Sequence, residues 1–218
     1  MNRTHLARFA VPAALLFALA GCNDPAKDKP VATVSSAAPT HADVAPTGAG
    51  METLAVDAAS STLGFTGSKV TGKHEGKFEK ITGSVTLAGG KAEGGRVTLD
   101  ADAASVKTDD PKLDGHLKSA DFFDVGKFPK ATFASSEIKL GGASGATHTI
   151  TGELNLHGVK KTISFPATIT VSGDAVSGTA EFVINRKDFG IVYPGQADNA
   201  IRDEVVLKLS LKAPRKKG

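Results

Sequence analysis

The chain has 218 residues, of which 40% are hydrophobic, and this is enough for one ordinary domain with a sizeable core. Its formal net charge of +3 is the small difference between 26 basic and 23 acidic residues. Because the charges are balanced and the basic residues are not clustered along the domain, nucleic acid is excluded as a partner. The single cysteine, Cys22, excludes an intramolecular disulfide bond and a cysteine-based metal site.

Residues 1–21 have the layout of a bacterial export signal. Arg3 and Arg8 make the start positive, and the apolar stretch that follows is too short to span a membrane. Residues 19–22 resemble the bacterial lipobox, in which the cysteine is acylated and becomes the first residue of the mature protein. We therefore predict a signal peptide over 1–21 and lipidation of Cys22, which would hold the protein on a membrane. An ordinary signal peptide with a chance cysteine is the alternative.

The residue after the cysteine indicates in which membrane the protein is anchored, and the stretch that follows indicates how it is tethered. Asn23 stands where an aspartate retains lipoproteins of enteric bacteria in the inner membrane, which favours the periplasmic face of the outer membrane. The inner membrane stays the alternative, because the sorting rule varies between lineages. Residues 22–50 contain almost no large apolar side chain, so we predict a flexible tether that reaches on the order of 30 Å. Residues 215–218 form a basic tail.

From Thr53 onward, apolar and polar residues alternate with the period of two that is typical of half-buried strands. The turns between them are rich in glycine, as at Gly89-Gly90. The alternating apolar positions are Leu54, Val56, Leu63, Phe65, Val85, Leu87, Val97, Leu99, Ile150, Leu154, Leu156, Ile163, Phe165, Ile169, Val171, Phe182, Ile184, Val205, Leu207, Leu209 and Leu211.

One short stretch favours a helix. Asp109-Asp110-Pro111 is an acidic start with proline near the first turn, and Leu113 and Leu117 fall on one face. Many antiparallel strands and one small helix predict a closed barrel or a sandwich, and closure has the advantage that it removes sheet edges. We predict an all-β domain over 51–214, an antiparallel barrel of about eight strands, which is wide enough to hold one small ligand.

Four segments of this domain resemble the YceI-like family, which consists of secreted lipocalin-like barrels associated with the binding of polyisoprenoid chains. They occur in the family's order, and the resemblance covers nearly all of 53–212. The segments are 72–78 (GKHEGKF), 115–125 (GHLKSADFFDV) running on to Phe128-Pro129, 152–159 (GELNLHGV) and 185–191 (NRKDFGI). The resemblance implies a lipocalin-like barrel whose lumen takes a long apolar lipid such as an isoprenoid or a quinone, held as a ligand and not as a cofactor.

The large apolar residues of the domain are the candidates for contact with such a lipid, and the chain has 11 Phe but no Trp and one Tyr. We expect about half of the phenylalanines to face the lumen and the others to be plain core, and Phe122 and Phe123 to plug one end. The lumen candidates are Phe65, Phe78, Phe122, Phe123, Phe128, Phe133, Phe165, Phe182, Phe189 and Ile191. The polar candidates for the barrel mouth are His74, His116, Arg186 and Asp188.

The polar residues have simpler interpretations that stay open. His74, His116 and His157 lack the spacing of a metal site, so we predict hydrogen-bonded structural histidines and no metal. Salt bridges at the barrel rim are the alternative for Arg186 and Asp188. The sequence has no nucleophile elbow, phosphate loop or paired carboxylates, and we therefore expect no catalysis.

Two functions follow from the sequence. The first is an envelope lipoprotein that carries a long-chain apolar lipid in its lumen, with the membrane as its other partner. The second is an interaction protein of the envelope whose barrel is filled by its own side chains. A homodimer is left open by the sequence in both cases.

Overall fold

The computed structural model describes residues 24–36 and 50–215 of the chain. The predicted signal peptide over 1–21, the predicted lipidation site Cys22 and most of the basic tail lie outside the described residues. Within the described ranges, no helix is both long enough and apolar enough to cross a membrane.

Antiparallel strands form one curled sheet, so the predicted lipocalin-like barrel is confirmed. The strands are β1 (Thr33–Ser35), β2 (Met51–Ala55), β3 (Thr62–Lys69), β4 (Gly72–Phe78), β5 (Ile81–Ala88), β6 (Lys91–Asp102), β7 (Val106–Thr108), β8 (Lys130–Leu140), β9 (His148–Leu156), β10 (Val159–Val171), β11 (Ala175–Asn185), β12 (Gly195–Gln196), β13 (Asn199–Ala200) and β14 (Glu204–Pro214). Twelve of the described strands form the sheet, in the order β2-β5-β6-β8-β9-β10-β11-β14-β3-β4-β7 with β1 on β10, and β12 pairs with β13. The excess over about eight strands comes mainly from short strands such as β1 and β7.

The predicted helix is confirmed as α1 (Pro111–Lys118). The Asp110 side chain caps it by accepting a hydrogen bond from the Lys112 amide at 2.9 Å, and proline occupies the first turn, where its missing N–H costs nothing. Leu117 is buried and Leu113 packs beside it, so the apolar face of α1 closes one end of the barrel.

The strand β8 was missed by the pattern of alternation because a β-bulge interrupts it. The register with β9 shifts between Ser135 and Glu137. As a result Phe133 and Ile138 both contribute to the apolar core although they are five residues apart. An odd spacing of this kind breaks the period of two on which strand prediction rests.

A tight turn joins β9 to β10 and packs against the ring of Phe128. His157 and Gly158 both have positive φ, 53° and 73°, as a two-residue hairpin turn requires. The ring of Phe128 lies against the glycine, where a Cβ atom would collide with it. The same ring packs edge-on against the imidazole of His157, with the centroids 4.8 Å apart.

The prediction of a flexible tether is wrong for residues 24–36. Residues 24–36 lie on the barrel, and Thr33–Ser35 pairs with β10 as a short antiparallel strand. Composition alone hid this contact, because Ala32, which is 5% exposed, is the only buried side chain of residues 24–36, and much of the binding comes from backbone hydrogen bonds. Such bonds leave no trace in the apolar pattern.

We expect Gly158→Ala to lower the free energy of unfolding by more than about 1–2 kcal/mol, the cost of a left-handed residue, because the new methyl group also displaces Phe128. Gly173→Ala is the matched control, since Gly173 lies in a turn with open space around it and without positive φ. Urea denaturation measures both. Equal midpoints for the two variants would contradict the packing of Phe128 on the turn.

Candidate functional site

The barrel encloses an apolar cavity of about 170 Å³. It extends from the middle of the lumen to the end that α1 closes, and Leu117, Phe122 and Phe123 line it there. Its wall is built from inward-facing side chains of most strands. The lining side chains include Leu63, Phe65, Phe78, Leu99, Ala131, Phe133, Leu154, Leu156, Ile163, Phe165, Phe182, Ile184, Ile191, Val205, Leu207 and Leu209.

Eight of the ten predicted lumen residues line this cavity, namely Phe65, Phe78, Phe122, Phe123, Phe133, Phe165, Phe182 and Ile191. Two do not. Phe128 packs against the β9–β10 turn. Phe189 is fully buried in the core without reaching the cavity, because the 3₁₀ turn Arg186–Phe189 redirects the chain after β11.

A second cavity of about 60 Å³ continues along the lumen. Four side chains line both cavities and therefore stand between them: Leu99, Phe133, Phe165 and Leu209. The ring of Phe165 stacks on Phe182, with centroids 4.1 Å apart and planes 15° apart, and also contacts Phe133 at 5.6 Å. Phe133, Phe165 and Phe182 form this aromatic partition, which fills the middle of the lumen and separates the two chambers.

Aromatic rings also close the helix end of the larger cavity, as predicted for Phe122 and Phe123. Phe123 contacts Phe65 and Phe78 at centroid distances of 6.4 and 5.6 Å. Phe122 packs against His116 at 4.9 Å and against Tyr193 at 5.5 Å. The end of the cavity is therefore covered by side chains on an irregular segment, 119–129, and not by a strand.

Arg186 is the one predicted mouth residue that lines the cavity, yet its charge is already satisfied. The residue is 4% exposed, and its guanidinium donates to the carbonyls of Ile191 at 2.7 Å and Arg202 at 3.1 Å and to the Asp203 carboxylate at 3.1 Å. Arg186 thus ties the loop that follows β11 to the start of β14. The salt-bridge interpretation of this residue is confirmed.

The other mouth candidates lie away from the cavity. His74 pairs with Asp109, with Nδ1 and Oδ1 2.8 Å apart, and His116 pairs with Asp121, with Nε2 and Oδ2 2.9 Å apart. Asp188 is exposed on the 3₁₀ turn. None of the three lines the cavity: the side chains of His74 and His116 are partly exposed, and His116 only packs against Phe122, which does line the cavity.

The histidines of the family segments make structural hydrogen bonds, as the sequence predicted. Besides the two pairs above, His157 Nδ1 lies 3.3 Å from the carbonyl oxygen of Phe189. Over residues 24–36 and 50–215, no cluster of three His, Cys, Asp or Glu side chains has an arrangement that could hold a metal ion.

Sequence reasoning missed the aliphatic half of the cavity wall. Leu154, Leu156 and Leu207 line the cavity beside the phenylalanines. The sequence did contain a signal for these leucines, since each belongs to a strand with alternating apolar residues. A phenylalanine or another buried residue on the same strand identifies its inward face. Extending the parity of each strand to all its apolar residues would have found them.

The helix that covers the cavity is held by a buried carboxylate. Asp114 accepts hydrogen bonds from the amide and hydroxyl of Thr108 at 2.7 and 2.8 Å and lies 3.2 Å from the Lys107 ammonium group. The hydrogen bond from the Thr108 hydroxyl is the main cause that lowers the pKa of Asp114 below its ordinary value. The ionised carboxylate therefore fastens α1 to β7.

Taken together, a curled antiparallel sheet and an apolar lumen define a lipocalin-like protein. The model of the YceI-like domain matches residues 54–213, and the chain belongs to the YceI-like family. A UPF0312 protein of Pseudomonas putida (strain W619) is 35% identical over 132 residues, which are 58% of this chain and 68% of that protein.

Two solved structures share the fold. BcnA of Burkholderia cenocepacia has a TM-score of 0.64 and 28% identity, covering 72% of this chain and 99% of that chain. A polyisoprenoid binding domain from Saccharophagus degradans has a TM-score of 0.60 and 18% identity, covering 77% of this chain and 99% of that chain.

We expect Asp114→Asn to lower the urea midpoint at pH 7, because the charge that anchors α1 is lost. The pKa of Asp114 is depressed in the folded protein, so its contribution is complete above the unfolded value of about 3.9 and disappears as the pH falls through the lower folded value. The difference from the wild type should therefore shrink below about pH 4. Asp188→Asn, at an exposed carboxylate, is the control, and a difference that persists unchanged at pH 2.5 would contradict this account.

Proposed function

We propose that this protein binds and carries a long apolar lipid of the isoprenoid or quinone class in its lumen. The observation that carries the proposal is the apolar cavity of about 170 Å³ inside the barrel, which is walled by phenylalanine and branched aliphatic side chains. A pocket of this kind inside a barrel is a usual place for a small apolar ligand. The polyisoprenoid binding domain of the same fold supports the choice of class.

The energetics suit a carrier. Each five-carbon isoprene unit that leaves water gains roughly 3–4 kcal/mol at about 0.8 kcal/mol per carbon. A membrane offers the same chain nearly the same gain, so transfer between membrane and lumen is close to balanced. A protein that loads and unloads needs such a balance, whereas one that stores its ligand does not.

The size of the cavity limits what it holds without rearrangement. An engineered cavity of about 150 Å³ lined by similar side chains binds benzene, so roughly one to two isoprene units fit the larger chamber as it stands. A longer chain reaches the second chamber only if Phe133 or Phe165 turns aside. Chain length is therefore selected at the aromatic partition.

We propose further that the protein is a lipoprotein anchored through Cys22, at the periplasmic face of the outer membrane. The lipobox-like residues 19–22 support the anchor, and Asn23 after the cysteine supports the outer membrane. A binding role without catalysis fits this arrangement, since a lipid carrier needs access to a membrane and an apolar lumen but no reacting group.

The second candidate, an interaction protein with a filled barrel, is less favoured. The side chains of the protein leave two chambers in the lumen unfilled, whereas a filled barrel would pack its side chains to the density of an ordinary protein core. The aromatic partition does fill the middle, so the filled-barrel description holds for that section of the lumen alone.

The absence of tryptophan from the sequence makes a sharp test available. In Phe123→Trp the introduced indole lines the larger chamber, and in Leu140→Trp it lies on the outside, where Leu140 is 65% exposed. Titration with ubiquinone-2, a quinone with two isoprene units, should quench the first indole in a saturable manner with a 1:1 end point. The second should show no saturable quenching.

Equal, linear quenching of both variants would count against binding in the lumen. Saturable quenching of Phe123→Trp that survives in a second variant with Leu207→Phe, which narrows the chamber, would point to a site elsewhere on the protein.

A further inference from the structure

The wall of the barrel divides between β10 and β11. The two strands pair from Thr168–Thr179 to Val171–Val176. Outside this range, one edge of β10 pairs with β9 over Val159–Ala167, and one edge of β11 pairs with β14 up to Asn185. The facing edges of the two strands are therefore not bonded to each other along this part of their length.

The N-terminal segment occupies this gap. Thr33–Ser35 pairs antiparallel with β10 at Thr162–Ser164. On the other side, the amide of Ala32 donates to the carbonyl of Val183 and the amide of Val183 donates to the carbonyl of Pro30, both at 2.9 Å. The segment thus bonds to both edges and completes the wall.

The side chains of the segment lie directly behind the cavity lining. Ala32 is 5% exposed and Val34 packs against the same core cluster, which includes Ile163, Phe165 and Phe182. Those three side chains also line the larger chamber. Withdrawal of the segment would uncover Ile163, Phe165 and Phe182, the side chains that separate this gap from the chamber.

The segment is held more weakly than the strands beside it. Its polar side-chain contacts include Asp24 to Arg202 at 3.3 Å and Lys29 to Glu181 at 2.7 Å at partly exposed positions, and Ser36 to Lys161 at 2.7 Å at the surface. Exposed ion pairs contribute about 0–1 kcal/mol each. A strand of three residues with small buried side chains is the kind of element that opens locally without unfolding the protein. It also lies outside the matched YceI-like domain at 54–213.

We propose that β1 is a gate, and that the gap between β10 and β11 is the portal through which an apolar chain enters the lumen sideways. This inference rests on the proposed lipid binding and adds the route and the moving part. When β1 leaves, the portal lined by Ile163, Phe165 and Phe182 is open. When β1 returns, the backbone bonds of both edges are restored and the chain is enclosed.

The position of the gate has a consequence for the proposed anchor. Asp24 lies two residues after Cys22, and two residues of extended chain span at most about 7 Å. With β1 docked, a lipidated Cys22 would hold the barrel against the membrane. With β1 released, this constraint on the distance between Cys22 and the barrel is lost. Opening of the portal would therefore also loosen the hold of the anchor on the barrel.

A cross-strand disulfide tests the gate. Thr33 and Ser164 face each other in register, at the separation of directly opposed antiparallel residues, which a disulfide can bridge. The full chain carries Cys22→Ser and Phe123→Trp together with Thr33→Cys and Ser164→Cys. The control replaces the cysteine pair by Thr62→Cys and Ser210→Cys, which are opposed on β3 and β14 away from the portal.

Stopped-flow quenching by ubiquinone-2 measures entry. We call the variant with Thr33→Cys and Ser164→Cys the lock. We expect its oxidised form to take up the quinone at least tenfold more slowly than its reduced form. The control pair should show the same rate in both states. Equal rates for the oxidised and reduced lock, with the disulfide verified by mass, would overturn the gate while leaving lumen binding intact. No saturable uptake in the reduced lock or in the control would overturn lumen binding and the gate together.

Hydrogen exchange gives an independent test on the unmodified chain. The amides of Ala32 and Val183, which bond across the portal, should exchange at least tenfold faster than the amides that bond β11 to β14. Equal protection of the two sets would mean that the segment opens only when the whole barrel unfolds, and would overturn the gate.

Discussion

The ladder of backbone hydrogen bonds that runs around the curled sheet is the constraint on which the rest of the structure depends. It forces alternate side chains of every strand inward, and the sequence makes nearly all of them apolar. Side chains that converge from a ring of strands do not fill the centre completely. The stack of Phe165 on Phe182 fills the middle, and the two chambers are what remains on either side. The lumen, the aromatic partition and the proposed ligand site are thus consequences of one curled sheet.

Much of the fold and of the cavity wall could be predicted from the sequence, because local patterns encode them. The period of two predicted most of the long strands, Asp110 and Pro111 predicted the start of α1, and strand parity placed Phe65, Phe165 and Phe182 in the lumen. The rest depends on contacts between distant residues. The bulge after Ser135 hid β8, the 3₁₀ turn diverted Phe189, and the docking of Ala32 depends on a gap between β10 and β11, which lie far away in the chain. No local pattern encodes such a gap.

The polar residues of the family segments have a supporting role in this account. Arg186 holds the loop after β11 to the start of β14, and Asp114 holds α1 over the end of the larger chamber. Both charged groups pair with other groups of the protein, so neither offers a free group to a lipid headgroup. Selection among lipids then falls to the shape of the lumen, and above all to Phe133 and Phe165 between the chambers. The proposed gate at β1 would govern when a chain can enter, and the aromatic partition would govern how far it reaches.

The most direct test of the central claim is native mass spectrometry of the full chain with Cys22→Ser, exported to the periplasm and followed by organic extraction. Cys22→Ser removes the proposed covalent lipid, so any lipid that remains is bound noncovalently. The account predicts a discrete additional mass of an isoprenoid or quinone that extraction releases. A protein that carries no added mass, and acquires none after incubation with quinones and polyprenols, would contradict it.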